Sequence, residues 1–334
     1  MKKTLLLCLA LMVLAASLPL VSSGAELREI RLAKQPGLGY LPLIIMEEKQ
    51  LIEKNAKAAG FDVKTTWVTL SSGAAMNDAL LSGSIDFISG GVAPFITLWA
   101  KTKGEVKGVS ALDTTPLYLN TSNPAVHSIK DFSDKDRIAL PAVKVSIQAV
   151  TLQMAAAKAF GFKNYAKLDS LTVSMGHPDA IVALLSGKSE ITAHFATPPF
   201  MFRELDQAGI HKVLNSYDVL GGRHTSNVLS TSQKFYAKNP QLFAAVQAAV
   251  SEAITFIQKN QREAAEIYAQ TGKSGESVEE ILTQLNDPQL GYRTKPLRIT
   301  QYSDFMYKIG SIDRKPGSEK DLFFPAVKLN KKGQ

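Results

Sequence analysis

In the first 90 positions, stretches in which apolar residues recur with a period of two alternate with stretches in which they recur at helical spacing. This pattern predicts alternating strands and helices. Ile30 and Leu32 alternate with charged neighbours, as in a short strand, and residues 61–68 (FDVKTTWV) repeat that period of two. Between them, apolar residues recur near helical spacing over residues 44–51, and residues 74–81 (AAMNDALL) form a second helical stretch. A third strand begins at residues 86–88. This βαβαβ order predicts an α/β fold with a parallel sheet covered by helices on both faces.

The middle of the chain repeats this order. The eight residues ALLSGSID (79–86) return almost unchanged as ALLSGKSE (183–190). We interpret each copy as the last turn of a helix, its glycine cap and the approach to a strand, so two similarly built lobes are predicted. The other elements predicted here are the strands DRIALPA (136–142), LTVSM (171–175) and EITAHF (190–195), and helices that end at Gly161 and Gly187.

The first 25 residues have the pattern of a cleaved signal peptide. Lys2 and Lys3 precede an apolar run from Leu5 to Leu20, and the small residues Ser23 to Ala25 suit a signal peptidase. A membrane anchor is the alternative, but a spanning helix needs about 20 apolar residues and this run is shorter. We therefore predict export, with cleavage after Ala25. Because the single cysteine, Cys8, lies in this segment, the mature chain would have neither a disulfide nor a thiolate.

Length and charge narrow the class of protein further. Removing 25 of the 334 residues leaves 309, a length that suggests two domains. Without Lys2 and Lys3, 36 basic residues stand against 30 acidic ones, a formal charge of +6, and the densest basic cluster is the tail at residues 328–332. Proteins that bind nucleic acid concentrate their basic residues on one stripe or arm. We therefore predict no nucleic-acid partner and only a mild preference for anionic ligands.

Six loops occupy the positions at which α/β proteins bind ligands. In open α/β sheets, ligands lie beyond the carboxyl ends of the strands, beside helix N-termini whose N–H groups favour anions. Glycine permits close approach of the backbone, and hydroxyl groups donate hydrogen bonds without adding charge. A role in a turn or a helix cap is the alternative for each loop. The loops are Pro36–Tyr40, Ser71–Gly73, Gly90–Gly91, Lys144–Gln148, His177–Pro178 and His194–Thr197.

Lys144 is the strongest single candidate for binding an anion, because a positive charge just before a helix start would act together with the backbone donors. The alternative is an exposed loop lysine.

His177 and His194 are the one histidine pair predicted near this site, and two histidines without a nearby carboxylate make an incomplete metal site. The mature chain contains no G-x-S-x-G, H-E-x-x-H or catalytic-cysteine motif. We therefore predict no metal, no cofactor and no catalysis.

Several stretches of the chain resemble the solute-binding proteins of bacterial ABC importers, specifically the nitrate, sulfonate and taurine group that also includes thiamine-precursor binders. The resemblance spans nearly all of the mature chain and depends on the order and spacing of the stretches. These are PGLGYLPLIIMEEKQLIEKNAKAAGFDV (36–63), SGAAMNDALLSGSIDF (72–87), SIKDFSDKDRIALP (128–141), NPQLFAAVQAAVSEAITFIQKNQREAAEIYA (239–269) and ITQYSDFMYKIGSI (299–312).

The resemblance implies a periplasmic-binding-protein type II fold, in which two doubly wound α/β lobes are joined by a two-strand hinge. Lobe 1 would comprise residues 26–113 and 225–334, and lobe 2 would comprise residues 114–224. The two crossovers would be Asp113–Pro116 and His224–Asn227, each followed by an extended run. A ligand that touches both lobes would stabilise the closed form.

The resemblance also implies which positions contact the ligand. Small polar residues and backbone amides would hold the anion, and the aromatic residues Tyr40, Phe195 and Phe200 would contact a tail. The sequence offers no cage of aromatic and acidic residues for a cationic pyrimidine, which disfavours the thiamine-precursor branch. The predicted ligand-binding residues are Leu38, Gly39, Tyr40, Ser71, Ser72, Gly73, Gly90, Gly91, Val92, Thr115, Lys144, Ser146, Gln148, His177, His194, Phe195, Thr197 and Asn227.

Members of this family deliver a solute to an ABC permease and its ATPase in the inner membrane. The resemblance therefore implies a monomeric periplasmic protein that binds a small anion, namely an alkyl sulfonate, taurine, nitrate, bicarbonate or an aromatic carboxylate. Two alternatives stay open. One is an enzyme on the same fold, of menaquinone or pyrimidine synthesis, and the signal peptide disfavours the menaquinone enzymes because they work in the cytoplasm. The other is a receptor for a sensor or for a different transporter.

Overall fold

A computed structural model describes residues 29–272 and 275–326. The predicted signal peptide, with Cys8, and the lysine-rich tail lie outside the described residues. Within these ranges the chain forms ten strands and 14 α-helices. The strands are β1 (Glu29–Lys34), β2 (Lys64–Thr69), β3 (Phe87–Gly91), β4 (Val106–Ala111), β5 (Tyr118–Thr121), β6 (Ile138–Leu140), β7 (Thr172–Ser174), β8 (Ala193–Ala196), β9 (His211–Asn215) and β10 (Asn227–Ser232). The helices are α1 (Leu41–Glu48), α2 (Leu51–Ala58), α3 (Gly73–Leu81), α4 (Val92–Lys101), α5 (Ile147–Phe160), α6 (His177–Ser186), α7 (Phe200–Leu205), α8 (Ser216–Leu220), α9 (Gln233–Lys238), α10 (Pro240–Lys259), α11 (Gln261–Thr271), α12 (Val278–Leu285), α13 (Ile299–Lys308) and α14 (Glu319–Leu322).

The first sheet has the strand order β2-β1-β3-β10-β4 and, with its helices, forms lobe 1. β1 runs parallel to β2 and β3, whereas β10 runs antiparallel to β3 and β4. As the alternation in the sequence predicts, Ile30 and Leu32 of β1 are fully buried. The helical stretch predicted at residues 44–51 belongs to two helices, because Gln50 takes a left-handed backbone conformation between α1 and α2.

The second sheet, which forms lobe 2 with its helices, repeats this arrangement in the order β7-β6-β8-β5-β9. β6 runs parallel to β7 and β8, and β5 runs antiparallel to β8 and β9. The expectation of purely parallel sheets is therefore wrong. Each antiparallel strand enters its sheet from the other lobe, at the carboxyl ends of the parallel strands: Asn227 begins β10 opposite Gly91, and Tyr118 begins β5 opposite Ala196.

The repeated segment ALLSG occupies equivalent places in the two lobes. Its first copy ends α3 at Leu81 and closes with Gly83, which has a φ of 73°. Its second copy ends α6, where Gly187 forms a left-handed cap with a φ of 59°. Each copy leads to the third strand in the order of its sheet, β3 or β8. The similarity therefore reflects the same helix-to-strand connection in both lobes.

The core of lobe 1 includes a long apolar helix. Of the described helices, α10 is the one that is long and apolar enough to cross a membrane by length and composition, but over half of its most apolar window is buried inside the protein. Leu242, Phe243, Val246 and Val250 of this helix belong to the same cluster as Ile30 of β1. These contacts are those of a core helix in a globular lobe.

The chain passes between the two sheets through residues 112–117 and residues 216–226. The predicted lobe boundaries, 113/114 and 224/225, fall within these segments. One part of the return segment also contacts lobe 2: the Tyr302 hydroxyl of α13 is hydrogen-bonded to the Thr151 hydroxyl of α5 at 2.9 Å. α13 therefore contacts elements of both lobes.

Candidate functional site

A cavity of about 220 Å³ lies between the two lobes, next to the carboxyl ends of β1, β2, β3 and β6. Ligand pockets commonly measure about 300 to 1,000 Å³, so this cavity suits a small solute. Its lining consists of Gln35, Pro36, Tyr40, Thr69, Leu70, Ser71, Gly73, Ala74, Gly91, Pro94, Leu117, Pro141, Ala142, Val145, Ser146, Ile147, Gln148, Gly176, His177, Pro178, Asp179, Thr197, Ser226 and Asn227.

Four helices begin at this cavity, two from each lobe. Gly73 of α3 and Gly91, which precedes α4, line it from lobe 1, whereas Ser146, which precedes α5, and His177 of α6 line it from lobe 2. The first four N–H groups of an α-helix have no partner within the helix, and the helix dipole adds a partial positive charge there. The convergence of four such ends makes the cavity suitable for an anion.

Ser146 both caps α5 and lines the cavity, the two roles that its position before a helix allows. Its Oγ accepts a hydrogen bond from the backbone N–H of Ala149 at 3.2 Å and thereby caps α5. A hydroxyl that accepts through a lone pair still has its hydrogen to donate, and Ser146 lines the cavity. Ser72 caps α3 in the same manner through the N–H of Ala75 at 3.3 Å, but it does not line the cavity.

No lysine or arginine is among the described residues that line the cavity. Lys144 does not line it, and its side chain is exposed. Burial raises the pKa of Asp169, and the hydrogen bonds from Gln153 and the charge of Lys144 offset this only in part. The one carboxylate in the lining is Asp179, an exposed residue in the first turn of α6. The attraction for an anion would therefore come from neutral donors and helix ends.

The structure brings half of the 18 predicted ligand-binding residues to the cavity. Those in its lining are Tyr40, Ser71, Gly73, Gly91, Ser146, Gln148, His177, Thr197 and Asn227. Those outside the lining are Leu38, Gly39, Ser72, Gly90, Val92, Thr115, Lys144, His194 and Phe195. Phe200, which was predicted to contact a tail, is buried outside the lining as well.

Several of the outlying residues shape the site through packing. A Cβ atom on Gly39 would lie 2.5 Å from Nδ2 of Asn227 and 2.6 Å from Oδ2 of Asp113, so only glycine lets this turn approach the crossovers. Phe195 is fully buried in the core of lobe 2. It alternates along β8 with His194, and neighbouring side chains of a strand point to opposite faces.

A carboxylate accompanies the histidine pair, contrary to the expectation from the sequence. His177 Nδ1 lies 2.8 Å from Nε2 of His194, and His194 Nδ1 lies 2.5 Å from Oε1 of Glu204. Glu204 lies ten positions after His194 in the sequence, and α7 places it next to His194. This contact cannot be predicted from the spacing of the two residues. Within residues 29–272 and 275–326, no group of three or more potential ligands is arranged to hold a metal ion.

The two lobes contact each other around the cavity. The N–H of Leu38 in lobe 1 donates to the carbonyl oxygen of Pro198 in lobe 2 at 2.9 Å. A Cβ atom on Gly91 would lie only 2.8 Å from Cγ2 of Ile147, across the cleft. The two lobes are therefore in direct contact on both of these sides of the cavity, which is narrow between Gly91 and Ile147.

The sequence reasoning missed several polar residues of the lining. Gln35, Gly176 and Ser226 each immediately precede a position that was predicted, and Thr69 and Asp179 lie two positions from one. Extending each predicted loop to the whole strand-to-helix connection would have included Gln35 and Gly176. The apolar lining residues Pro94 and Leu117 lie two positions beyond the predicted Val92 and Thr115, and the first turn of α4 and the first crossover bring them to the cavity.

Solved structures with the same fold cover almost the whole chain. The periplasmic aliphatic sulphonate binding protein SsuA from Escherichia coli is 20% identical, with a TM-score of 0.67, over 92% of this chain and 95% of that chain. The alkanesulfonate-binding protein SsuA from Xanthomonas axonopodis pv. citri, bound to MOPS, is 19% identical, with a TM-score of 0.69, over 91% and 96%. The periplasmic nitrate-binding protein NrtA from Synechocystis PCC 6803 is 16% identical, with a TM-score of 0.69, over 89% and 84%. These similarities confirm the predicted fold class.

The family assignment depends on a match to the sequence. By sequence comparison, no curated protein matches the chain. The model of the NMT1-like family matches residues 23–271, about three quarters of the 334 residues. A match of that extent includes all ten strands and the four helices that begin at the cavity. The chain therefore belongs to the NMT1-like family.

Proposed function

We propose that this protein is an extracytoplasmic solute-binding protein that binds a small anion between its lobes and delivers it to a membrane ABC permease. The observation that carries the proposal is the convergence of four helix N-termini on a cavity of about 220 Å³ without a cationic side chain. Such a site suits an anion whose charge is spread over several oxygens, as in a nitrate, a sulfonate or a carboxylate. The names of the similar SsuA and NrtA proteins support this ligand class.

The same proposal includes how the chain is exported and how it closes. Cleavage after Ala25 would leave a monomer whose lobes comprise residues 26–113 with 225–334, and residues 114–224. Contacts with both lobes would stabilise the closed form, and the permease would recognise that form. Taurine, alkyl sulfonates, nitrate, bicarbonate and aromatic carboxylates are the ligands to be distinguished.

Ligand binding should be visible as thermal stabilisation of residues 26–334. An anion present at about 1,000 times its dissociation constant adds about 4 kcal/mol to the free energy of unfolding, which raises the melting temperature measurably. The screen should include sulfonates, nitrate, bicarbonate and carboxylates in a buffer without sulfonate groups. An enzyme would consume its ligand, so recovery of the unchanged anion supports the binding function. A screen without any shift on the folded protein would contradict it for these anions.

Ser146→Ala should weaken binding of the anion found in that screen by about ten- to a hundredfold, because it removes a donor to a charged group. The affinity should be measured by titration calorimetry. Ser232→Ala is the matched control, since Ser232 caps α9 through the N–H of Phe235 at 3.1 Å and does not line the cavity. Both variants lose a helix cap, and only Ser146→Ala should lose affinity. Equal affinities in the two variants would place the anion away from α5.

Delivery to a permease needs a test of its own. Uptake of the identified anion should fall when the gene is deleted and should return when the gene is restored. The restored Ser146→Ala form should support less uptake at low anion concentration. Unchanged uptake after deletion would contradict delivery while leaving the binding function in place.

A further inference from the structure

Asp179 is the one acidic or basic side chain among the described residues that line the cavity, apart from His177. His177 adds no compensating positive charge, because burial and the nearby His194 lower the pKa of His177 well below its usual value. Asp179 is exposed, and its carboxylate has neither an ion pair nor a side-chain hydrogen bond within the described part of the chain. The site proposed for an anion therefore also contains a carboxylate without a partner.

This carboxylate belongs to only one of the four helix ends at the cavity. Asp179 lies in the first turn of α6, whereas the first turns of α3, α4 and α5 contain no acidic residue. An acidic side chain in the first turn offsets the partial positive charge of the helix dipole. The ends of α3, α4 and α5 therefore form the part of the cavity that attracts an anion, and the end of α6 forms a part that attracts a cation.

Asp179 also lies where the two lobes approach each other. A Cβ atom on Gly176, in lobe 2, would lie 3.9 Å from Oδ2 of Asp179 and 3.9 Å from Cβ of Ser71, in lobe 1. Gly176 and Ser71 line the cavity as well. A cationic group beside Asp179 would therefore also be close to the Ser71 hydroxyl, which can accept a hydrogen bond from it. Such a group would contact both lobes.

We propose that the ligand is a zwitterion, a small anion that also bears an ammonium group, and that Asp179 is the residue that selects for this group. The inference rests on the proposed function and narrows it from small anions in general to amino sulfonates and amino carboxylates. A simple anion such as nitrate would leave the carboxylate without a partner and would be repelled by it. An ammonium group instead forms a charge-assisted hydrogen bond with a carboxylate.

Two pairs of ligands test this selectivity, because the members of each pair differ in a single group. Taurine has an ammonium group where isethionate has a hydroxyl group, and β-alanine differs from 3-hydroxypropionate in the same way. We expect the amino member of at least one pair to bind residues 26–334 at least about tenfold more tightly than its hydroxyl partner, measured by titration calorimetry at neutral pH. Equal or tighter binding of the hydroxyl members would overturn the inference and leave anion binding in place.

Asp179→Asn shows whether the preference comes from the carboxylate. Asparagine keeps the size of the side chain and removes its charge, so the affinity for the amino ligand should fall at least about fivefold. The affinity for the hydroxyl partner should stay within about twofold or rise, because a repulsion is removed. A purely structural role in the first turn of α6 would change both affinities by the same factor. Retention of the wild-type preference in Asp179→Asn would contradict the proposal.

The matched control is Asp218→Asn, because Asp218 is likewise an exposed residue in the first turn of a lobe 2 helix, α8, and does not line the cavity. This variant should keep the wild-type affinities and the wild-type preference. Binding of nitrate or ethanesulfonate without binding of taurine or β-alanine would overturn the inference alone. If none of these anions binds to the folded wild-type protein, the proposed function fails for small anions and the inference fails with it.

Discussion

Gly91→Trp should abolish solute binding while leaving each lobe folded. Gly91 ends β3 at the cavity with a φ of −59°, which any residue can adopt, so the backbone does not oppose the substitution. The gap between the lobes does oppose it, because a Cβ atom would already lie 2.8 Å from Cγ2 and 3.0 Å from Cβ of Ile147. An indole group there would fill the cavity and hold the lobes apart. We expect the affinity to fall at least about a hundredfold in titration calorimetry.

A tryptophan at an exposed site controls for the new side chain itself. Val182 lies on α6 with 67% of its surface exposed, so Val182→Trp should keep wild-type affinity. Small-angle scattering of Gly91→Trp should also show a more open protein than the wild type with its anion bound. Wild-type affinity in Gly91→Trp would mean that the solute does not bind in this cleft.

Asp113→Ala should cause the largest loss of stability among the substitutions considered. Asp113 is fully buried between the crossovers and accepts from the backbone N–H of Asn227 at 2.8 Å, from Nδ2 of Asn227 at 3.0 Å and from the hydroxyl of Thr115 at 2.6 Å. Alanine would leave these donors unpaired, at about 1 to 3 kcal/mol for each buried group. We expect the free energy of unfolding near pH 5 to fall by about 3 to 5 kcal/mol, measured by chemical denaturation. Asp304→Ala, which removes an exposed ion pair with Lys315, should change it by less than about 1 kcal/mol.

The destabilisation by Asp113→Ala should shrink as the pH rises. Burial raises the pKa of Asp113 to about 7, and its hydrogen bonds offset this only in part. Between the unfolded value and about 7, the folded state of the wild-type protein binds the proton and the unfolded state does not, so its stability falls with rising pH. From pH 5 to pH 8 the difference between the wild-type protein and the variant should decrease by up to about 3 kcal/mol. A difference that is constant or grows with pH would show that Asp113 is ionised throughout.

Local features that depend on neighbouring residues could be predicted from the sequence. Ser146 caps α5 as its position before a helix suggests, and Gly187 ends α6 in the left-handed conformation that glycine favours. The repeated ALLSG segment correctly indicated two lobes of similar design. Half of the predicted ligand-binding residues line the cavity, because the carboxyl ends of parallel strands meet at one edge of a sheet.

Tertiary structure alone decided the features that join distant parts of the chain. The direction of β5 and β10 depends on the end at which each crossover enters its sheet, and alternation of apolar residues is the same in either direction. The exclusion of Lys144 from the cavity and the approach of Glu204 to His194 depend on how loops and α7 pack. By itself the sequence determined the strands and helices that flank the predicted loops and the two-lobed plan, since these follow from short-range periodicity and capping. Which side chains meet in the cleft was settled by packing between residues far apart in the chain, which no local pattern encodes.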